Sequence, residues 1–329
     1  MLSAACADES ASVPDATDSG DTAPDDDTAD TRPGTPTPWI FEDDARPSPT
    51  LGKAELEGAV AAAVRASLEL DSVAVRDLHD LLFPPPAPGT GDPNGCPFVL
   101  TYDYGTAKAF YWQGECTAAD GTRFSGRGYA TWYDDQPIEL GTVDGFDYYL
   151  AGRIEADDGT WLEGAGNATA YDGGGGDIVG FGRALDGTFE AGGPRAPASP
   201  WLDGTRRPAM TVTGWRYLPT GGKNLVLSGG IGGLTDFPGG VSAVALDALM
   251  VRTLTAGAAC EREFGGAASV RGPDGNWYDV VFDGPSEEAP AATPASACDG
   301  CGDTFFRGDL LAPTCVPTAP FIGWELQPW

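Results

Sequence analysis

The sequence of 329 residues has few histidines, few basic side chains and no long apolar run. His79 is the only histidine and no serine lies in a Gly-x-Ser-x-Gly motif, so the sequence offers no basis for a nucleophilic triad. Lys and Arg number 19 against 49 Asp and Glu, and the net charge of −30 repels phosphates and anionic lipids. No apolar run reaches the ~18 residues of a membrane-spanning helix. These absences argue against a serine hydrolase, direct nucleic-acid binding and a spanning helix.

The acidic excess extends over the whole chain, and the N-terminal segment has little else. Residues 1–50 hold 12 acidic and 2 basic side chains, which leaves a net charge of −20 on the remainder. Residues 7–38 carry nine acidic side chains, no aromatic residue, and Val13 as their only large aliphatic side chain. Such a segment buries too little apolar surface to offset its ordering entropy. We therefore predict a disordered acidic tether over residues 6–50.

The run Leu2-Ser3-Ala4-Ala5-Cys6 stands directly before this tether. It resembles the end of a bacterial lipoprotein signal peptide, in which small residues precede a cysteine that is lipidated after cleavage. The resemblance implies that residues 1–5 are the remnant of a longer signal peptide, because only five residues precede Cys6. Ala7 follows Cys6, where inner-membrane retention signals of some lipoproteins have Asp. The resemblance thus implies export to the cell envelope, at the outer membrane or cell surface, with membrane contact through the lipid alone.

The cysteine count supports an oxidising compartment. Setting Cys6 aside for lipidation leaves six of the seven cysteines, an even number that can pair fully. Cys298-x2-Cys301 followed by Cys315 is compatible with a zinc site or with disulfides, and the missing second Cys-x2-Cys favours disulfides. We predict no metal, and we leave open the pairing among Cys260, Cys298, Cys301 and Cys315. A Cys298–Cys301 bridge would constrain the unfolded chain least.

Two helices are predicted within residues 51–83, in a chain whose 47 Gly and 28 Pro are otherwise typical of a turn-rich β protein. From Lys53 to Leu70 an apolar side chain recurs every four residues, at Leu56, Val60, Val64 and Leu68. A shorter helix runs from about Ala74 to Leu82, with Asp71 or Ser72 as its cap. His79 is predicted on the surface of this helix or partly packed. Residues 84–95, rich in Pro and Gly, form a linker.

From Cys96 onward the apolar period changes to two. We predict a β-meander domain over residues 96–256 and a Cys-rich β region over 257–329. An odd hairpin loop centred on Thr106 would pair Cys96 with Cys116, and would place on one face Leu100, Tyr102, Phe110 and Trp112. Opposed residues in a non-hydrogen-bonded pair lie ~4.5 Å apart at Cα, close to disulfide geometry. The sequence therefore predicts a Cys96–Cys116 disulfide, whereas a one-residue slip would put the two cysteines on opposite faces.

An internal duplication lies within the β region. Residues 120–133 match residues 158–171 at eight of fourteen positions, with an offset of 38. Each copy predicts an Asp-Gly turn and a strand with one face of small residues, which aromatic side chains of neighbouring strands would cover. Weaker echoes start at Asp186 and Asp274. The predicted fold is mainly β, an antiparallel meander of hairpins that forms an extended curved sheet, a sandwich or a barrel. The pattern is similar to the short β-hairpin units called MORN repeats.

Two functions of different class fit these features. The first is a non-enzymatic, surface-displayed lipoprotein that acts as a structural or interaction module. The second is a carbohydrate-binding or carbohydrate-active domain that stacks sugar rings on Trp132, Trp161 and Trp277, provided that they lie in one exposed row. The partner would be a glycan or an envelope protein. No cofactor is predicted, because Gly173–Asp177 lacks the spacing of a calcium nonapeptide and the Gly-Lys-Ser/Thr of a phosphate loop.

Overall fold

The computed structural model describes residues 48–139, 141–253, 263–285 and 299–323. Within these ranges two helices precede a 14-stranded sheet: α1 Lys53–Leu68, α2 Ser72–Leu82, β1 Phe98–Asp103, β2 Ala107–Thr117, β3 Arg123–Ile138, β4 Gly141–Glu155, β5 Trp161–Gly175, β6 Ile178–Gly192, β7 Arg207–Tyr217, β8 Gly222–Gly232, β9 Ala243–Thr253, β10 Gly265–Arg271, β11 Trp277–Asp283, β12 Cys301–Phe306, β13 Asp309–Leu310 and β14 Thr314–Cys315. Residues 6–47 of the predicted tether lie outside the described residues, and Thr50 at its end donates its N–H to the Tyr278 hydroxyl at 2.6 Å.

The strands form one open antiparallel sheet in which each strand from β1 to β13 lies beside the next in sequence, while β14 pairs with β12. The predicted antiparallel meander is confirmed, and the extended open sheet is the form that it takes. The sheet is continuous from β9 to β10, where Ala268 lies opposite Leu246 and Val270 lies opposite Val244.

The two helices cover one face of the sheet, here called the inner face. Helix α2 contacts β4, β5 and β6, and α1 contacts β7, β10 and β14. Leu56, Val60 and Val64 of α1 are fully buried there, each contributing about 1.5–3 kcal/mol by leaving water. The Asp71 carboxylate caps α2 by accepting a hydrogen bond from the Ala74 N–H at 2.9 Å, as predicted. Neither helix is long and apolar enough to cross a membrane.

His79 is completely buried, and its prediction as a surface or partly packed residue was wrong. Val75, Leu78, His79 and Leu82 share one side of α2 by their helical spacing, and all four are buried against the sheet. The imidazole lies among aromatic rings, 4.7 Å from the centroid of Tyr148 and 5.6 Å from that of Phe110. Its Nδ1 lies 3.0 Å from Asp80 Oδ1.

The linker 84–95 folds against the outer edge of β1. The Gly89 N–H donates to Thr101 Oγ1 at 2.8 Å, and the Val99 N–H donates to the Asp92 carbonyl at 3.0 Å. A covered edge strand is protected from pairing with another chain. The linker therefore shields one end of the sheet.

The first hairpin differs from the predicted register by one residue. Val99, not Leu100, lies opposite Trp112, and Thr101 lies opposite Phe110. The cause is an even loop of two residues, Gly105 and Thr106, which the hydrogen bond from the Tyr104 N–H to the Ala107 carbonyl closes at 2.8 Å. Val99, Phe110 and Trp112 consequently face the core, whereas Leu100 and Tyr102 point to the opposite face.

The Cys96–Cys116 disulfide forms despite this slip, with a Cα–Cα distance of 5.9 Å. Cys96 lies in a bend before β1, so the alternation of the strand does not fix its side. A second disulfide joins Cys301 and Cys315, which lie opposite each other on β12 and β14. It uses two of the thiols that a zinc site would need, and it excludes a Cys298–Cys301 disulfide. Cys6, Cys260 and Cys298 lie outside the described residues.

The two copies of the duplication become the starts of β3 and β5, each preceded by a turn of the same geometry. The carboxylates of Asp120 and Asp158 accept hydrogen bonds from the N–H groups two residues on, at 2.9 and 2.8 Å, and these bonds lower the pKa of both. The echo at Asp274 makes the same turn with the Asn276 N–H at 3.0 Å. The echo at Asp186 does not, because it lies inside β6 opposite Asn167. Asp203 forms a further such turn.

Aromatic side chains cover the small residues of the inner face, as predicted. The Trp112 indole lies against Gly128, and the Phe189 ring lies against Gly164, where a Cβ would stand 2.6 Å from the ring. A glycine at each of these positions lets an aromatic ring from the next strand rest on the backbone. Glycines on one strand and rings on the next thus form a single packing unit.

Candidate functional site

The three tryptophans predicted to stack on a ligand do not form a row. Trp132 belongs to the inner face, where it stacks on Phe110 with 5.2 Å between ring centroids. Trp161 lies on the opposite, outer face of β5 beneath the Arg153 guanidinium, 4.1 Å from the ring centroid. Trp277 begins β11 and is 41% exposed, with five strands between it and β5.

Tyrosines form the row instead. Tyr111 of β2 lies opposite Tyr129 of β3, which lies opposite Tyr149 of β4, so three adjacent strands present a phenol at the same level of the outer face. Neighbouring strands are ~4.8 Å apart, which sets the side chains side by side. Tyr129 is 39% exposed. We call Tyr111, Tyr129 and Tyr149 the tyrosine row.

Polar side chains hold the tyrosine row in place. The Tyr111 hydroxyl donates to Gln113 Oε1 at 2.7 Å, and Thr131 Oγ1 donates to the Tyr129 hydroxyl at 2.6 Å. The Arg127 guanidinium lies 6.0 Å from the centroid of the Tyr149 ring, at the limit of a cation–π contact. Two of the three tyrosine hydroxyls are therefore held by neighbouring polar side chains.

A transverse groove lies beside the tyrosine row. Its floor is the next row of the outer face, Gln113, Arg127, Ala151 and Ala165, which are directly opposed on β2 to β5. Two of these four side chains are single methyl groups. A cavity of about 260 Å³ opens in this groove, lined by Gln113, Gly114, Glu115, Gly126, Arg127 and Ala151.

The far wall of the groove is a charged row, in which each acid has a partner. Arg153 reaches Glu163 at 3.1 Å and Glu155 at 3.0 Å, and Arg123 pairs with Glu155. Glu115 Oε1 accepts hydrogen bonds from the Gly126 N–H at 2.8 Å and from Ser125 Oγ at 3.1 Å. On β2 to β5, three acidic side chains thus stand near three arginines, those of residues 123, 127 and 153, while Glu190 lies beyond them on β6, opposite Glu163. The groove is close to neutral although the chain carries −30.

A hydrogen-bond cluster on Asp147 supports the other side of the tyrosine row. Its carboxylate accepts from the Tyr133 hydroxyl and from Thr169 Oγ1, both at 2.9 Å. Burial, with the Asp147 charge adding to it, raises the pKa of Tyr133 to about 12, and the same causes raise the pKa of Tyr171. Tyr133 and Tyr171 are equivalent positions of the duplication. The two copies therefore meet on β4 through one carboxylate.

The tyrosine row was missed by the sequence analysis, which followed the small-residue face of the duplication and chose tryptophans by their size. The signal was the alternate set of positions in the same strand: Arg127, Tyr129, Thr131 and Tyr133. Their alternation with the inner-face residues marks them as one outer surface. Which strand positions stand beside one another depends on the register between β2, β3 and β4, which the sequence did not predict.

Metal and cofactor binding receive no support from the site. Among residues 48–139, 141–253, 263–285 and 299–323, no three His, Cys, Asp or Glu side chains are grouped to hold a metal ion.

A comparison with known proteins finds no matching family model, no matching curated protein and no matching solved structure. The ordered tyrosine row and the groove beside it are the features of the outer face to which a function can be attached.

Proposed function

We propose that this protein is an exported, non-enzymatic binding module, held by a lipidated Cys6 in a bacterial cell envelope, which binds its ligand on the outer face of β2 to β5. The observation that carries the proposal is the tyrosine row with its groove, on the face that the helices leave uncovered. The acidic tether would hold this face away from the membrane. The strong negative charge disfavours direct contact with anionic lipid, so the lipid anchor supplies the attachment.

Two observations support export. Two disulfides, Cys96–Cys116 and Cys301–Cys315, indicate folding in an oxidising compartment. The Leu2–Cys6 motif resembles a lipoprotein signal. The lipid anchor is tested by mass spectrometry of membrane-extracted protein, with a diacylated or triacylated N-terminal Cys6 as the expected species. An unmodified Met1 on the cellular protein would contradict it.

The electrostatics of the groove support binding without turnover. A glycoside hydrolase pairs an ionised carboxylate with a carboxylic acid whose pKa is raised. Burial does raise the pKa of Asp172, Glu263 and Asp283, yet none of these lines the groove. The acids around the groove are those already paired with arginines or with a backbone N–H. The groove therefore offers no acid–base pair.

The binding function is tested by sedimentation of the full chain with isolated bacterial envelopes, before and after protease treatment, with every protein carrying Cys6→Ser so that no lipid anchor contributes. The wild type is expected to sediment with the envelopes, and a Tyr129→Ser/Tyr149→Ser variant to remain in the supernatant. Tyr217→Ser, an exposed tyrosine near the end of β7 and outside the groove, is the matched control and should sediment as wild type does. Equal sedimentation of all three proteins, or release of soluble fragments from the envelopes, would overturn the proposal.

A further inference from the structure

We propose that the ligand of the outer face is an uncharged oligosaccharide that lies along the transverse groove and crosses strands β2 to β5. This inference rests on the proposed function and names its ligand class. It starts from the shape of the groove. The four floor residues are opposed on neighbouring strands, so the groove runs across the strands for about 14 Å at the usual strand spacing. This length accommodates a short chain of sugar rings lying flat.

The tyrosine row offers the surface that a sugar ring requires. A pyranose has an apolar face of C–H groups and a rim of hydroxyls, and a tyrosine matches it with an apolar ring and a polar tip. Tyrosine has two side-chain torsions, so little freedom is lost on binding. The hydrogen bonds of Tyr111 to Gln113 and of Tyr129 to Thr131 already fix the rings. The row is a preorganised wall for one side of the ligand.

The groove also supplies hydrogen-bonding groups of both kinds. Gln113 uses its Oε1 to accept from Tyr111, which leaves its two amide N–H groups for a ligand. Glu115 uses Oε1 for Gly126 and Ser125 and keeps Oε2 as an acceptor. The exposed guanidinium of Arg127 adds a fork of donors beside them. Neighbouring sugar hydroxyls, each a donor and an acceptor, match this mixture.

The charge distribution selects an uncharged ligand. An anionic polymer would meet the field of a chain with net charge −30, and it would find Arg123 and Arg153 already paired with glutamates. A cationic partner would be drawn by the field, yet Glu155 and Glu163 at the groove are neutralised by the same arginines. Because three acids and three arginines balance locally, the groove attracts neither an anionic nor a cationic ligand.

The test is affinity electrophoresis of the full chain through gels that contain one polysaccharide each. The neutral probes are dextran, mannan, galactan and xylan, and the charged probes are heparin and polylysine. At least one neutral polysaccharide is expected to retard the wild type. Tyr129→Ala and Tyr149→Ala should each weaken this binding about tenfold, as the loss of an aromatic anchor does. Ala165→Phe, which fills the exposed floor, should weaken it as much, and Tyr217→Ala should bind as wild type does.

The outcomes separate this inference from the proposed function. Retardation by heparin or polylysine alone would overturn the inference of an uncharged ligand. Retardation by a neutral polysaccharide that the groove variants leave unchanged would overturn the site. If no polysaccharide binds while protease-sensitive envelope sedimentation persists and depends on Tyr129 and Tyr149, the ligand is a protein and only the inference fails. Unchanged circular dichroism and melting temperature confirm that each variant is folded.

Discussion

Trp112 on β2 lies directly opposite Gly128 on β3, and its indole fills the space that a side chain at residue 128 would occupy. A Cβ placed on Gly128 would overlap the indole ring. Because Trp112 is fully buried and its ring contacts those of Phe83 and Phe124, it has no open space into which to move. Phe189 of β6 rests on Gly164 of β5 in a similar way, although Gly128 and Gly164 are not equivalent positions of the duplication.

Gly128→Ala should therefore lower the free energy of unfolding by about 1–3 kcal/mol through overpacking. Gly232→Ala is the matched control, since Gly232 ends a strand of the same sheet and a Cβ there would meet no atom within 4 Å. The control should stay within about 0.5 kcal/mol of wild type. Urea denaturation of the three proteins measures both effects. Equal stability of the two variants would show that the indole does not rest on Gly128.

Tyr148 and Tyr133 lie on opposite faces of the sheet and should respond oppositely to loss of their hydroxyls. The Tyr148 hydroxyl is buried without a hydrogen-bond partner among the described residues, and burial holds its pKa well above the usual range. Tyr148→Phe removes an unpaired polar group, so it should leave stability unchanged or raise it. Tyr133→Phe removes a donor to the Asp147 carboxylate and should cost about 1.5–3 kcal/mol. A larger loss for Tyr148→Phe than for Tyr133→Phe in urea denaturation would contradict this account.

The cysteines give a prediction about connectivity. Peptide mapping under non-reducing conditions should recover Cys96 linked to Cys116, and Cys301 linked to Cys315. With Cys6 lipidated, Cys260 and Cys298 are the two that remain, and we expect them to be linked to each other. Replacing Cys96 and Cys116 by alanine opens a loop with a sequence separation of 20 and should cost about 3 kcal/mol on the chain-entropy model. A Cys96 peptide linked to a C-terminal cysteine would refute this pairing.

Local patterns in the sequence predicted the elements of the fold but not their exact registration. The four-residue recurrence of apolar side chains located α1 to within two residues of its end, and the Asp-Gly turns located the starts of β3 and β5. The register of the first hairpin failed because the sequence around Gly105 is compatible with an even or an odd loop. One added loop residue moves every later side chain to the other face.

The candidate site depended on that same non-local information. Tyr111, Tyr129 and Tyr149 are unremarkable when they are taken one strand at a time. They become a row only when three strands are aligned, which loop lengths and helix packing decide. The prediction that His79 lies at the surface was wrong for a related reason, because the side of α2 that meets the sheet was not assigned. Its spacing from Val75 and Leu82 was nevertheless present in the sequence.

The Asp147 cluster predicts a sensitivity to alkaline pH. The pKa of Tyr133 is raised in the folded protein from its usual 10.0 to about 12, so the folded state holds its proton at pH values where the unfolded state has lost it. This contribution to stability is fully present below about pH 10 and is lost as the pH rises toward about 12. The free energy of unfolding should therefore decline over this interval.

Tyr133→Phe tests the alkaline sensitivity, because it removes the titrating group and keeps the ring. The variant should be less stable than wild type at pH 8, and the difference should shrink as the pH approaches 12. Tyr217→Phe is the control, because Tyr217 is exposed at the end of β7, with two strands between it and the Asp147 strand β4, and it should follow the wild-type curve. Phenolate absorbance near the denaturation midpoint follows the ionisation directly. A constant difference between Tyr133→Phe and wild type across the interval would show that Asp147 does not hold the phenol protonated.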